Sequence, residues 1–484
     1  MIQAQHYVHT RILLQPMSNE LWRWDALDLA RAIRLRQVSS REVVEAVLDR
    51  LASVNPSINA VTVVLAEQAL AEADRADAAV ARGGELGPLH GVPVTIKENV
   101  DQADCATTSG VIAFKDLIAR SDCPPVANWK RAGAIMIGRT NTPAFSLRWD
   151  TDNELRGRTF NPWMRERTPG GSSGGAAAAL AAGIAPLAHG NDYGGSIRYP
   201  AYCCGVAGIR PTLGRVPGHN TTSPVERPPT AQLMAVNGPM ARRVRDLRAA
   251  LAAMAAGDLR DPWWTPAPLE GPAVTRPIRV ALAVDPAGLG THSDVLAAVR
   301  MAGRALEDVG YRVDEVDPPA VNAIAELWSR LVASDIRQVT LPLIRQFGDR
   351  DVNRALDLFL EITPGLDLAG YAKGLADRAR YLREWMLFMD RYPIVVGPVS
   401  TEPPLPVGFD LTGAACSAQV SRAQRLLVTV NLLGLPAVAV PTGLTNGLPL
   451  GVQVIATRYR EDLCLNAAEI IEAQCGSLTP IDPR

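Results

Sequence analysis

Apolar positions fall into two periods along the chain. From Trp24 to Ser53 they recur at helical spacing: Leu27, Ala30 and Ile33, then Val43, Val44, Val47, Leu48 and Leu51. Ser39 and Ser40 interrupt this run and Glu42 follows, a capping signal that predicts two helices. Ala66 to Ala81 predicts a third helix. Val92 to Ile96 predicts a short strand after Gly91, and Ala134 to Ile137 a second, entered from a helix over 124–132. Farther on come a strand over Ile278–Val284, a helix over Ser293–Val309 and a strand over Tyr311–Val316. Residues 319–390 read as helical and carry Trp328, Phe347, Phe359, Trp385 and Phe388. Ile394–Val399 and Ala437–Val440 predict buried strands, and Asp462–Cys475 a closing helix. Strands alternating with helices predict an α/β fold, with one large mixed, largely parallel β-sheet flanked by helices.

Residues 164–218 break this pattern, being rich in Gly, Ala and Ser. A flexible linker would not carry Ile184, Leu187, Ile197, Val206 and Ile209 at such density. The stretch reads as buried backbone, where glycine supplies room or a positive φ. Residues 1–20 read as a loose N-terminal extension, because the periodic pattern begins near Leu21; Met17 is an alternative start. Ile12-Leu13-Leu14 is too short an apolar run for a signal peptide, and no A-x-A site follows it. Ala176 to Ala188 is too short and too small-sided to span a bilayer.

A chain of 484 residues suits one large domain with an appended region, or two domains. The net charge of −1 comes without long runs of like charge, which argues against a nucleic-acid partner. No membrane partner is expected. The cysteine count of seven is odd, no C-x-x-C occurs, and Cys203 adjoins Cys204. These read as reduced, mostly buried small hydrophobes of a cytoplasmic protein. The six histidines form no metal-binding pair, so no metal is expected.

Candidate chemistry sits in three segments. They are Gly91-Val-Pro-Val-Thr-Ile-Lys97-Glu98-Asn99, then Pro169-Gly-Gly-Ser172-Ser173-Gly-Gly175, then Asp192-Tyr193-Gly194-Gly195-Ser196-Ile-Arg198-Tyr-Pro200. A lysine ending an apolar strand can be desolvated, which lowers its pKa and lets it act as a neutral base, although most such lysines are surface residues. Gly170 to Gly175 opens an Ala-rich helix and could be an N-cap or a phosphate loop; it lacks the lysine of a P-loop. Two glycines before Ser196 could form a simple tight turn. They could also leave several backbone N–H groups facing one point, as an oxyanion hole requires.

Together and in this order, the three segments resemble the amidase-signature family. Ser172 and Ser196 lie 24 positions apart, which matches the family spacing. Gly138-Arg-Thr-Asn-Thr-Pro143, Asn161-Pro-Trp163, Gly205 to Thr212, Asn431 to Pro436 and Gly447 to Gln453 are similar to further family landmarks, from about Leu21 to the C-terminus. The resemblance implies a stand-alone amidase with a nucleophile at Ser196, a bridging serine at Ser172, typically preceded by a cis peptide, and a base at Lys97. It implies an oxyanion hole from the N–H groups of Tyr193, Gly194, Gly195 and Ser196. Ser173, Asp192 and Arg198 would hold the loops in place. No cofactor is needed, and homodimers are frequent in such families. Arg139, Ala144 and Cys105 depart from the family pattern without removing a catalytic group.

The expected reaction is hydrolysis of an amide with a hydrophobic or aryl group through an acyl-enzyme on Ser196. Residues 319–390, the least family-like part of residues 21–484, would form a helical substrate cap; the alternative is that its aromatics only pack the helices. A carbamate, ester or lactam-oligomer hydrolase would use the same route. A competing reading is the glutamine-hydrolysing component, called A, of a tRNA-dependent amidotransferase. It is weakened because Tyr199 stands where that component has glutamine. A non-catalytic scaffold would not be expected to keep Lys97, Ser172 and Ser196.

Overall fold

The reciprocal cap read from Ser39 and Glu42 is present. Ser39 Oγ accepts from the Glu42 N–H at 3.0 Å, and the Glu42 carboxylate accepts from the Ser39 N–H at 2.7 Å. It starts the helix Ser40–Ile58 and separates it from Ala26–Arg34. The computed structural model describes residues 20–223 and 225–484. The expected N-terminal extension, apart from Glu20, and the alternative start at Met17 lie outside the described residues.

Among the described residues eleven strands form one sheet: β1 (Val61–Val64), β2 (Pro93–Lys97), β3 (Ile135–Thr140), β4 (Leu187–Asp192), β5 (Ala207–Arg210), β6 (Val236–Ala241), β7 (Arg279–Leu282), β8 (Arg312–Glu315), β9 (Ile394–Pro398), β10 (Ala437–Thr445) and β11 (Leu448–Ala456). Their order is β1-β3-β2-β4-β6-β5-β10-β11-β9-β7-β8. The α/β class and the single large mixed sheet flanked by helices are as expected. The expectation that it is largely parallel needs correction. β3-β2-β4 and β9-β7-β8 pair in parallel. The centre, from β4 through β6, β5, β10 and β11 to β9, is antiparallel, as is β1 on β3. The glycine-rich stretch hides β4 and β5, and a hairpin adds β11. Its two-residue turn, Asn446-Gly447, has φ of 53° and 79°, the left-handed pair that matches the twist of a tight hairpin.

β2, β4, β10 and β11 are buried over most of their length, and the Ala-rich helix Gly174–Ala181 packs against β2 and β4 with every residue buried. That helix lies too close to its neighbours for larger side chains. A Cβ on Gly175 would fall 2.5 Å from the Asn141 nitrogen. A second core cluster joins the helices Val321–Asp335, Arg350–Ile362 and Leu368–Arg391 to Arg425–Leu433. Residues 319–390 are therefore helical as predicted, with Leu341–Phe347 a further short helix. Among the described residues no helix is long and apolar enough to cross a membrane.

Candidate active site

Lys97 closes β2, and Asn191 and Asp192 close β4. The two strands pair in parallel, so all three residues reach the same edge of the sheet, where α/β folds place their ligand crevices. Two loops meet there. Ser172 and Ser173 precede the helix Gly174–Ala181, and Ser196 lies in the turn before the helix Arg198–Cys204. The Ser173 N–H donates to the Ser196 carbonyl at 3.2 Å and ties the loops together. The Gly171–Ser172 peptide bond is cis.

Lys97 has no solvent exposure. Its Nζ lies 2.7 Å from Ser172 Oγ, 3.0 Å from Ser173 Oγ and 2.8 Å from Asn191 Oδ1. Burial pushes its pKa well below the usual lysine range, although Asp192 pulls in the opposite direction. Burial therefore moves the balance toward the neutral amine.

Asp192 holds the serine turn. Its carboxylate accepts from the Gly195 N–H at 2.8 Å, from Arg198 Nε and Nη2 at 3.1 Å each, and from Asn431 Nδ2 at 2.7 Å. Burial opposes its ionisation, yet Arg198 and Arg210, with these hydrogen bonds, hold the carboxyl well below the usual carboxylate range. Arg198 also reaches Gln453 Oε1 and Asn431 Oδ1 at 2.7 Å, joining the turn to β11 and to the helix Arg425–Leu433. Gly195 has φ +97°, and a Cβ there would fall 1.9 Å from Leu427 Cδ2, so only glycine fits.

The expected four-donor oxyanion hole needs one correction. The Gly195 N–H is committed to Asp192. Among the described residues no acceptor meets the N–H groups of Tyr193, Gly194 and Ser196.

Two cavities meet at Ser196. One, of about 110 Å³, is largely apolar, with Trp149, Tyr193, Trp328, Val332, Leu356 and Phe359 in its wall. The other, of about 700 Å³, has a mixed polar and apolar wall and reaches Asn99, Ser172, Asn191, His219, Asn237 and Arg260. Tyr193, Ser146, Leu147 and Ser196 line both. Trp149 Nε1 donates to the Gly194 carbonyl at 2.8 Å. The Tyr193 hydroxyl lies 2.6 Å from Thr230 Oγ1, whose N–H donates to Asp335 at 2.8 Å. The aromatics of 319–390 divide between two roles. Trp328 and Phe359 reach the cavity, whereas Trp385 is buried and donates to the Pro319 carbonyl at 2.9 Å.

Arg139 is buried beside β2, donating to the carbonyls of Val100 at 2.6 Å and Lys97 at 3.3 Å. Ala144 and Cys105 are buried, and all seven cysteines are free. Tyr199 is buried and stacks on Tyr202 with ring centroids 6.3 Å apart, lining neither cavity at Ser196. Among the described residues no group of three or more His, Cys, Asp or Glu side chains could hold a metal ion. Sequence reasoning missed Asn191, which contacts Lys97 directly. The one signal for it is its place just before Asp192.

A model of the amidase family matches residues 42–465. The chain belongs to this family. It is 47% identical to an indoleacetamide hydrolase of Bradyrhizobium diazoefficiens over 95% of this chain and 88% of that protein. It is 33% identical to the A component of the glutamyl-tRNA(Gln) amidotransferase of Moorella thermoacetica, over 94% of this chain and 97% of that protein. The solved structure of 6-aminohexanoate cyclic dimer hydrolase with its substrate superposes with a TM-score of 0.79 and 28% identity, covering 94% of this chain and 98% of that one. This amidase hydrolyses amides. The amidotransferase reading is disfavoured by the higher identity to a hydrolase and by the packing of Tyr199 away from the site.

The Asp192 cluster predicts a stability effect. A carboxyl whose folded pKa is depressed stabilises the fold above its unfolded pKa of about 4, and that stability is lost as pH falls toward the folded value. Asp192→Asn should therefore lower stability at neutral pH by about 3–5 kcal/mol, because Arg198 keeps a buried charge without its partner. Denaturant unfolding at pH 7 and below pH 4 checks this, with the gap between wild type and variant narrowing in acid.

Proposed function

We propose that Ser196 is the nucleophile, Ser172 the bridging serine and Lys97 the base of an amidase acting on small arylacetamides such as indole-3-acetamide. The observation that carries the reading is the 2.7 Å contact between a fully buried Lys97 Nζ and Ser172 Oγ, at the edge where Ser196 opens to both cavities. The apolar wall of Trp149, Trp328 and Phe359 supports an aryl acyl group, as does the 47% identity to an indoleacetamide hydrolase. Residues 319–390 act as the substrate cap through Trp328 and Phe359.

The reaction runs in two halves. Neutral Lys97 takes the Ser172 proton as Ser172 takes the proton of Ser196, and Ser196 Oγ attacks the carbonyl carbon. The oxyanion is held by the free N–H groups of the Tyr193–Ser196 turn. The proton returns through Ser172 to the amide nitrogen, the C–N bond breaks, and ammonia leaves an ester on Ser196. Water then gives up a proton along the same path, attacks the ester and releases the acid. The seven free thiols support a reducing compartment, the cytoplasm.

Ammonia release from indole-3-acetamide, phenylacetamide, acetamide and a carbamate, with acid release from an acylanilide and a cyclic amide dimer, tests the substrate class. Indole-3-acetamide should exceed acetamide at least about 30-fold in kcat/KM, the worth of one well-buried aromatic anchor of about 2 kcal/mol. Equal rates for the two, or a preference for the cyclic dimer or carbamate, would contradict the arylacetamide reading. Lys97→Ala should cut kcat about 10²–10⁴-fold with folding preserved. In the wild type kcat/KM should fall on acidification, as the depressed Lys97 gains its proton, and should reach its plateau well below the usual lysine range.

A further inference from the structure

A neutral lysine amine has two N–H groups and one lone pair, and around Lys97 Nζ stand three oxygens: Ser172 Oγ, Ser173 Oγ and Asn191 Oδ1. A carboxamide oxygen can only accept. This one is held in that orientation, because Asn191 Nδ2 donates to Asn99 Oδ1 at 2.9 Å. Asn99 is fixed in turn: its Nδ2 donates to Ser146 Oγ at 2.9 Å, and its carbonyl accepts from Asn220 Nδ2 at 3.1 Å. Ser173 Oγ donates to the Asn191 carbonyl at 3.5 Å, which leaves its lone pairs for Lys97. Both N–H groups of the amine are thereby occupied.

We propose that Asn191 is a positioning residue of the proton relay: with Ser173 it takes up the two N–H groups of the Lys97 amine, so that the lone pair has only the Ser172 hydroxyl to accept from. When Nζ gains the proton, its three N–H groups meet the same three oxygens and no contact is lost. Asn191 also supplies an acceptor without adding a charge. The titratable and charged groups around Lys97 are few. Asp192 on β4 lies near it and is spent on Arg198 and Arg210. His189 on β4 is buried and held neutral by burial. Arg139 on β3 donates to the Lys97 carbonyl, and Glu98 pairs with Arg156 at 3.3 Å. None of these accepts a hydrogen bond from Nζ.

This inference rests on Lys97 being the base. Its test is the pH dependence of kcat/KM for indole-3-acetamide in Asn191→Asp and Asn191→Leu, with circular dichroism to verify folding. Asn191→Asp places a carboxylate against the amine and should move the ionisation that must be neutral upward by about one to three pH units. Activity at neutral pH should fall at least tenfold and recover as pH rises. Asn191→Leu removes an acceptor of the ammonium, so the ionisation should move downward while activity falls at every pH. Either folded variant decides alone. A wild-type pH dependence in a folded variant, or a flat loss without a shift, overturns the positioning role. If Lys97→Ala retains activity, the base assignment itself fails; if Lys97→Ala is inactive and the Asn191 profiles are unshifted, only this inference fails.

Discussion

Lys97 Nζ sits without solvent at the end of a buried strand, 2.7 Å from Ser172 Oγ, and the rest of the site is arranged around that contact. An amine removed from water favours its neutral form, provided that no unspent negative charge faces it. Asp192 is the carboxylate that closes the neighbouring strand at the same sheet edge. Its charge is taken up by Arg198 and Arg210, and its hydrogen bonds shape the turn that carries Ser196. One side chain thus fixes the serine loop while its guanidinium partners limit its pull on the Lys97 amine. The neutral oxygens of Ser172, Ser173 and Asn191 do the remaining work of solvation.

This arrangement needs the two kinds of strand pairing in the sheet. Parallel pairing of β2 with β4 brings Lys97 and Asp192 to one edge. Antiparallel pairing through β5, β10 and β11 backs the helix Arg198–Cys204 with Gln453, which Arg198 reaches at 2.7 Å. The helices of 319–390 add Trp328 and Phe359 over the apolar cavity. In the proposed reaction that cavity takes the aryl group, while the larger cavity of mixed lining reaches the relay and admits water.

Much of this is legible in the sequence, for identifiable reasons. The apolar run after Gly91 marks β2 and puts Lys97 at its end, and the Ser39–Glu42 pair marks a real helix start. The two serine loops are legible through their spacing and their resemblance to a family. What stays hidden follows from composition. β4 reads Leu-Ala-His-Gly-Asn-Asp, a buried strand without apolar alternation, so the contact of Asn191 with Lys97 leaves no pattern. The antiparallel centre is hidden with it, although Asn446-Gly447 carries a readable turn signal. The glycine turn suggests a Gly195 N–H facing an oxyanion; only the geometry places it on Asp192, because backbone direction inside such a turn is not encoded by residue type.

In the proposed mechanism Ser196 Oγ is the attacking atom and Lys97 activates it through Ser172. Labelling with a serine-directed fluorophosphonate, followed by intact-mass and peptide analysis, tests it most directly. One equivalent of label is expected on Ser196, with slow labelling in Lys97→Ala and Ser172→Ala, and none in Ser196→Ala. Label on a different residue, or equal labelling after Ser196→Ala, would contradict it.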